Sequence, residues 1–436
     1  MTPDLTLINA LLFTPATASG LTPGCFVEIV GKRIGAVGPM AAWRPSGTGR
    51  VLDVGNDLVM PGMVNGHSHA AMTLFRGLAD DLPLMTWLER HIFPAEARHV
   101  SPEMVSWCTK LAAAEMLLSG TTCVADAYFY EERAAAAFVE TGMRAVAAQG
   151  VIDFPAPGVP DPADNVAACD RFIRSCGGDE LVRPAVFAHS PYTCSPATLI
   201  AAKKLARVHD VPFFIHIAET RAEAEMIRPT FVGSPLVYLY SLGLLDERTV
   251  CVHGVWLAEE DIVLLAESGA ALVSCPESNM KLASGTAPLP ALRAAGVRVG
   301  LGTDGAASNN DLDLFGEMAA CAKLHKVHGR DATLCPARDV LAMATVEGAA
   351  VLGMTDCGVL APGRLADLIV VDIHRPQLTP FFSVDTLVYA ARGDAVRSAV
   401  INGRLVMEER RILTFDVAEA MERVRELAAA CARRFS

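Results

Sequence analysis

Residues 65–70 read NGHSHA, and they set two histidines, His67 and His69, on either side of one serine. They close an apolar run with the character of a buried strand. Residues two apart on a strand point to the same side, so both imidazoles can aim at one point. Imidazole nitrogen is a good ligand for zinc and other late first-row divalent ions. Similar polar residues end other apolar runs: His189 in AHSPYTCS, His216 and Glu219 in FIHIAET, His253 in CVHG, and Asp304 in GLGTDGAASNN. A third imidazole from His216 and a carboxylate from Asp304 would complete a site with room for water. A cation there lowers the pKa of such a water from nearly 16 towards ~7 and so supplies hydroxide at neutral pH.

Taken singly, each residue has a plainer reading. H-x-H alone is more often structural than not. Glu219 alone is a helix-start acid, His189 a satisfied core histidine, and Asp304-Gly305 an ordinary turn. The joint placement decides for a metal site, because five of the eleven histidines fall at the ends of such runs. His91, His99, His209, His325, His328 and His374 take the plainer reading, with His325-x-x-His328 an exposed helix face.

The elements that must position these groups repeat along the chain. Apolar runs rich in Val, Ile or Ala lie at 59–65, 121–126, 144–152, 184–189, 211–217, 249–253, 270–275 and 297–304. Near-continuous apolar runs suit strands buried on both faces of a parallel sheet. Helical patterns separate them. Ser101-Pro102-Glu103 and Ser195-Pro196 are helix starts, each a capping serine followed by proline in the first turn. Eight strands alternating with helices predict an α/β fold, a (β/α)8 TIM-type barrel, with an open doubly wound sheet as the alternative. In the barrel the carboxyl ends of the strands meet at one face and build the active site. The chain ends read as short strands and turns, with Asn402-Gly403 a hairpin dipeptide. The expected organisation is a small β-sandwich domain from 1–58 and 358–412, a barrel over 59–357, and a helix over 413–436.

Composition narrows the class. Just over half of the 436 residues are apolar and a fifth are charged, as in an enzyme-sized protein with a large core. A net charge of −12 argues against nucleic acid or an anionic membrane as partner. No segment reads as membrane-spanning or as a signal peptide. Twelve cysteines without a C-x-x-C pair speak against a disulfide framework or a cysteine zinc site and for a reducing cytoplasm.

With these residues in hand, the chain resembles the amidohydrolase superfamily over nearly its whole length. It is most similar to the branch holding 5′-methylthioadenosine/S-adenosylhomocysteine deaminases and s-triazine chlorohydrolases. PGMVNGHSHAAMTLFRGLADDLPLMTWLERHIFPAE, HIAET, PESNMKLASGTAPLP and GLGTDGAASNNDLDLFGEM carry the resemblance. It implies that His67, His69, His216 and Asp304 hold a metal. Glu219, His253 and Asp304 would form the catalytic set. Glu219, expected one helical turn past His216, shuttles protons to the substrate ring, and His253 orients the attacking water. Glu96, His189, Glu219 and Trp87 would bind substrate. Of these, Glu96 takes the ribose hydroxyls, His189 the purine, and Trp87 the sugar or its 5′ substituent. Two-metal relatives carry a bridging lysine in the fourth strand. PAVFAHS has none, so one divalent ion per subunit is expected, Zn2+ ahead of Fe2+ or Mn2+.

The implied activity is hydrolytic deamination of a 6-aminopurine nucleoside, 5′-methylthioadenosine first, with adenosine and S-adenosylhomocysteine as relatives. The alternatives are an s-triazine or halogenated-ring hydrolase, a guanine- or pterin-type deaminase, and a non-catalytic scaffold. Arg144, Arg133 and Arg171 are candidate partners for the carboxylate of S-adenosylhomocysteine, and Gln149 is expected to face the pocket. Barrels of this kind commonly associate, so a homo-oligomer is expected.

Overall fold

In a computed structural model that describes residues 3–45, 49–176 and 178–432, strands from both chain ends build one sheet. The N-terminal segment supplies β1 (Leu5–Phe13), β2 (Leu21–Val30), β3 (Arg33–Pro39), β4 (Arg50–Asp53) and β5 (Leu58–Pro61). The barrel follows with β6 (Met63–Ser68), β7 (Thr121–Tyr128), β8 (Arg144–Val151), β9 (Val182–Ala188), β10 (Phe213–Ile217), β11 (Thr249–His253), β12 (Ala271–Ser274) and β13 (Val299–Leu301). The C-terminal segment adds β14 (Leu368–Val371), β15 (Val396–Ile401), β16 (Arg404–Glu408) and β17 (Arg411–Ile412).

The terminal sheet runs β17-β16-β15-β14-β5-β1-β2-β3, with β4 beside β1. β5 is parallel to β1 and antiparallel to β14, so the two chain ends meet along β5. Leu7, Val27, Ile29 and Leu368 are buried in its apolar core. Asn402 (φ +52°) and Gly403 (φ +75°) turn the β15–β16 hairpin, the left-handed pair that a two-residue turn of this hand requires.

In the barrel every neighbouring pair from β6 to β13 is parallel. The ring closes where Asp304 N–H donates to the His67 carbonyl at 3.0 Å. Gly302 permits that approach, since a Cβ there would stand 2.7 Å from the His67 nitrogen. Capping serines begin the outer helices as the sequence predicts. Ser101 Oγ accepts from Met104 N–H and Ser195 Oγ from Thr198 N–H, each at 3.2 Å. The helix Val417–Ala432 lies outside on the helix Pro102–Leu118, with Arg423 paired to Glu103 at 2.6 Å. Residues 433–436 of the expected final helix lie outside the described residues. No helix among the described residues is long and apolar enough to cross a membrane.

The run expected at 59–65 as the first barrel strand divides at Gly62. Leu58–Pro61 pairs in the terminal sheet, and only from Met63 does the chain join the barrel. Both halves are buried, so apolar patterning could not reveal where the pairing partner changes.

Arg144 does not reach the carboxyl-end face. It opens β8 at the opposite end of the barrel and is 2 % exposed. Its guanidinium grips Asp367 with two bonds, 2.6 and 3.1 Å, just before β14, and also reaches Asn402 Oδ1. Arg133 and Arg171 lie exposed on outer helices. His325 also departs from expectation. It is buried, with ring nitrogens facing the carbonyls of Cys321 and Ala287, because its face of the helix Leu314–Gly329 packs inward.

Candidate active site

His67 ends β6 and His69 follows it, His216 lies in β10, His253 ends β11, and Asp304 follows β13. These strands deliver their ends to one point. His67 Nε2 and His216 Nε2 are 3.1 Å apart. Asp304 Oδ1 lies 3.6 Å from His67 Nε2 and 3.4 Å from His69 Nε2. Ligand atoms of His67, His69 and Asp304 all fall within 4.8 Å of one another, as do those of His67, His216 and His253. Asp304 and His253 both carry positive φ, +60° and +75°, and so does Ala218 at +50° just past β10. Non-glycine residues adopt such angles at a cost, and they gather here at the ends of the strands that carry the polar groups.

The protonation pattern suits a cation. Burial depresses the His67 imidazole to about 4, and burial likewise lowers His69 and, further, His216. Neutral imidazoles therefore converge their nitrogens at hydrogen-bond distance in a buried place. His69 Nδ1 donates to the Ala127 carbonyl, which leaves the Nε2 lone pair facing the cluster. Burial pushes the Asp304 carboxyl up, but the hydrogen bond to His67 and the neighbouring imidazoles of His69 and His253 outweigh it and hold it well below the carboxylate range. Its two oxygens have separate partners. Oδ2 accepts from Ser278 Oγ at 2.7 Å and Ser308 Oγ at 2.8 Å, while Oδ1, which accepts Gly305 N–H, faces the histidines. Three lone pairs and one carboxylate in this arrangement fit a divalent cation by the chemistry of the donor set.

Glu219 stands beside this cluster in a loop, not on the helix that the sequence suggests. Its N–H donates to Glu223 Oε2 at 3.1 Å, and that bond with the left-handed Ala218 sets the turn. Glu219 Oε2 lies 3.8 Å from His253 Nε2. Burial raises its pKa, with His253 acting against the shift. His253 Nδ1 donates to Asn279 Oδ1 at 3.1 Å, leaving Nε2 to accept. Above the cluster a cavity of about 510 Å³ opens, and His189, Trp87 and Glu96 all line it. His189 Nδ1 meets Thr193 Oγ1 at 3.0 Å. Glu96 is 7 % exposed, and burial pushes its carboxyl up to about 7, although the Tyr128 hydroxyl donates to it at 2.7 Å. Gln149 does not line the cavity; its Oε1 accepts Glu131 N–H instead.

The residues named from the sequence gather at this place, apart from Arg133, Arg144, Arg171 and Gln149, and the side chains that support them are not among those named. Ser278 and Asn279 belong to PESNMK and Ser308 to GAASNN. A serine or asparagine in the first segment after an apolar strand was the available signal, because such a residue is placed to bond what the neighbouring strand ends present.

Comparison with known proteins shows what the chain is similar to. The amidohydrolase family matches residues 58–406. The chain is 50% identical to a protein of Syntrophobacter fumaroxidans named 5-methylthioadenosine/S-adenosylhomocysteine deaminase, over 98% of each chain. A protein of Syntrophus aciditrophicus named 5-methylthioadenosine/S-adenosylhomocysteine deaminase 1 is 46% identical, over 92% of this chain and 91% of that one. Among solved structures, an adenosine deaminase of Xanthomonas campestris with bound zinc superposes with a TM-score of 0.94 at 37% identity, over 98% of both chains.

Proposed function

The chain belongs to the amidohydrolase family, and on that premise we propose that it deaminates a 6-aminopurine nucleoside, 5′-methylthioadenosine first, to the inosine analogue and ammonia. It is a hydrolase of C–N bonds. The carrying observation is Glu219 beside His253 at the floor of a cavity whose wall holds the buried carboxylate of Glu96. Relatives named for methylthioadenosine and S-adenosylhomocysteine support the nucleoside, and a zinc-bound neighbour supports the ion.

In this reading His67, His69, His216 and Asp304 hold one divalent ion, zinc. Such an ion supplies Lewis-acid chemistry that makes a water nucleophilic at neutral pH. His253 Nε2, left as an acceptor, would take a hydrogen bond from the attacking water and aim it at C6 of the purine. Glu219 would take one proton from the attacking water and pass it to the ring nitrogen, then take the second from the hydroxyl added at C6 and give it to the amine as the C–N bond breaks. The elevated pKa of a buried carboxyl serves both directions of that transfer. His189 faces the base, Glu96 accepts from the ribose hydroxyls, and Trp87 covers the sugar or its 5′ group. A triazine hydrolase or a guanine-type deaminase would have no sugar to offer Glu96.

In this account the barrel carries the chemistry, the terminal sheet buttresses it, and the helix Val417–Ala432 packs outside. Twelve free cysteines support a reducing cytoplasm as its place. The test is a nucleoside panel assayed for loss of adenine absorbance and release of ammonia, on metal-replete and metal-stripped protein. Turnover that disappears on stripping and returns with zinc is expected. Inert replete protein with every nucleoside would overturn the proposal.

A further inference from the structure

The wall that carries Glu96 is also a ruler. Residues 84–99 run as a helix (Leu84–Trp87), a π-helical turn (Leu88–Ile92) and a second helix (Phe93–His99). Glu96 and Ile92 are buried, Phe93 is half-buried, and Glu89 is exposed at the cavity's edge. At about 1.5 Å of rise per residue, Glu89 stands roughly 10 Å from Glu96 towards the mouth. The space between is apolar, lined by Leu88, Ile92, Phe93, Phe154 and Pro155, with the Phe93 and Phe154 rings 5.5 Å apart.

Charge on this route is one-sided. Among the described residues lining the cavity there are four acids, Glu89, Glu96, Glu219 and Asp304, and no lysine or arginine. The cations nearby point elsewhere. Arg90 is exposed and outside the lining, and Arg221 lies over the Trp256 ring, 5.8 Å from its centroid. Lys281 bonds Asp80 at 2.6 Å. Glu89 has no ion-pair partner among the described residues.

Resting on the nucleoside reading above, we infer that the mouth selects for an uncharged 5′ substituent and against an amino-acid tail, with Glu89 as the discriminating residue. With the ribose at Glu96, a methylthio group ends among Ile92, Phe93 and Phe154. A homocysteine tail carries its carboxylate roughly 5 Å beyond the sulfur, four bonds of about 1.5 Å in a zigzag. That brings the anion to the level of Glu89, where it meets a like charge and no guanidinium or ammonium to replace its hydration. Losing solvation without a counter-charge is unfavourable, whereas an apolar methylthio group gains from the same wall.

The experiment compares kcat/KM for 5′-methylthioadenosine and S-adenosylhomocysteine in the wild type, Glu89→Gln and Glu89→Arg, at low and high salt. The wild type should favour methylthioadenosine at least ten-fold. The ratio should shrink in Glu89→Gln and by a further factor of ten or so in Glu89→Arg, and salt should erase the gain in the latter. S-adenosylhomocysteine turned over as fast as methylthioadenosine by the wild type would overturn the inference and leave the deaminase reading intact. A Glu89→Gln enzyme that loses activity on S-adenosylhomocysteine alone would also overturn it, since Glu89 would then be holding the tail's ammonium. If no nucleoside reacts, the underlying reading fails instead.

Discussion

Glu219 and Glu96 are both buried carboxyls with raised pKa values, and burial is the largest cause in each. Their expected signatures differ. Glu219→Gln should keep a full complement of metal, measured by elemental analysis, while kcat/KM falls by about 10²–10⁴, the usual worth of a positioned proton carrier. Near-normal ammonia release from that variant would remove Glu219 from the reaction. In the proposed role Glu96 is ionised so that it can accept two hydroxyl protons, and its carboxyl is pushed up to about 7. kcat/KM for a ribose-bearing substrate should therefore fall as pH drops below about 7, and Glu96→Gln should flatten that limb while lowering the plateau. The same shift acts on folding with the opposite preference. A carboxyl raised from 4.5 to about 7 binds its proton more tightly when folded, so its contribution is fully present below about 4.5 and is lost as pH rises through 7.

At the scale of elements, the site is a set of strand ends held by short polar segments from neighbouring strands. Ser278 begins the helix Pro276–Lys281 after β12, and Ser308 sits in the loop after β13; together they fix one oxygen of Asp304. Removing such outer partners typically weakens metal binding 10–100-fold. Ser278→Ala with Ser308→Ala should lose affinity of that order in competition with a chelator, with little change in helix content by circular dichroism. The ends of the apolar runs were legible in sequence because a polar residue stopping a buried strand has few uses other than the site. The loop that holds Glu219 was not. Alanine, glutamate and threonine all suit a helix start, and it is the bond from Glu219 N–H back to the Glu223 side chain, with Ala218 at positive φ, that turns them into a loop. The split at Gly62 was hidden for another reason: both sheets demand the same apolar side chains there.

In the whole molecule the terminal sheet and the barrel are tied together below the site. The Arg144–Asp367 pair, each partner about 2 % exposed, joins the foot of β8 to the start of β14. Deleting one member of a buried pair leaves the other charge stranded, at about 3–5 kcal/mol. Arg144→Met should therefore lower the thermal midpoint by several degrees while KM for methylthioadenosine and S-adenosylhomocysteine stays put. A selective rise in KM for the latter would restore Arg144 as a substrate ligand. A second tie runs through Gly62, whose N–H donates to the Asp367 carbonyl at 3.1 Å. A Cβ on Gly62 would stand 2.0 Å from Thr122 Oγ1, so β5 and β6 join where no side chain fits. His67 is only five positions further on. A lone methyl placed at that joint becomes a wedge with the first histidine of the cluster on its short arm. Chemistry at the mouth of the barrel is thus answerable to how the strand-rich ends of the chain are folded.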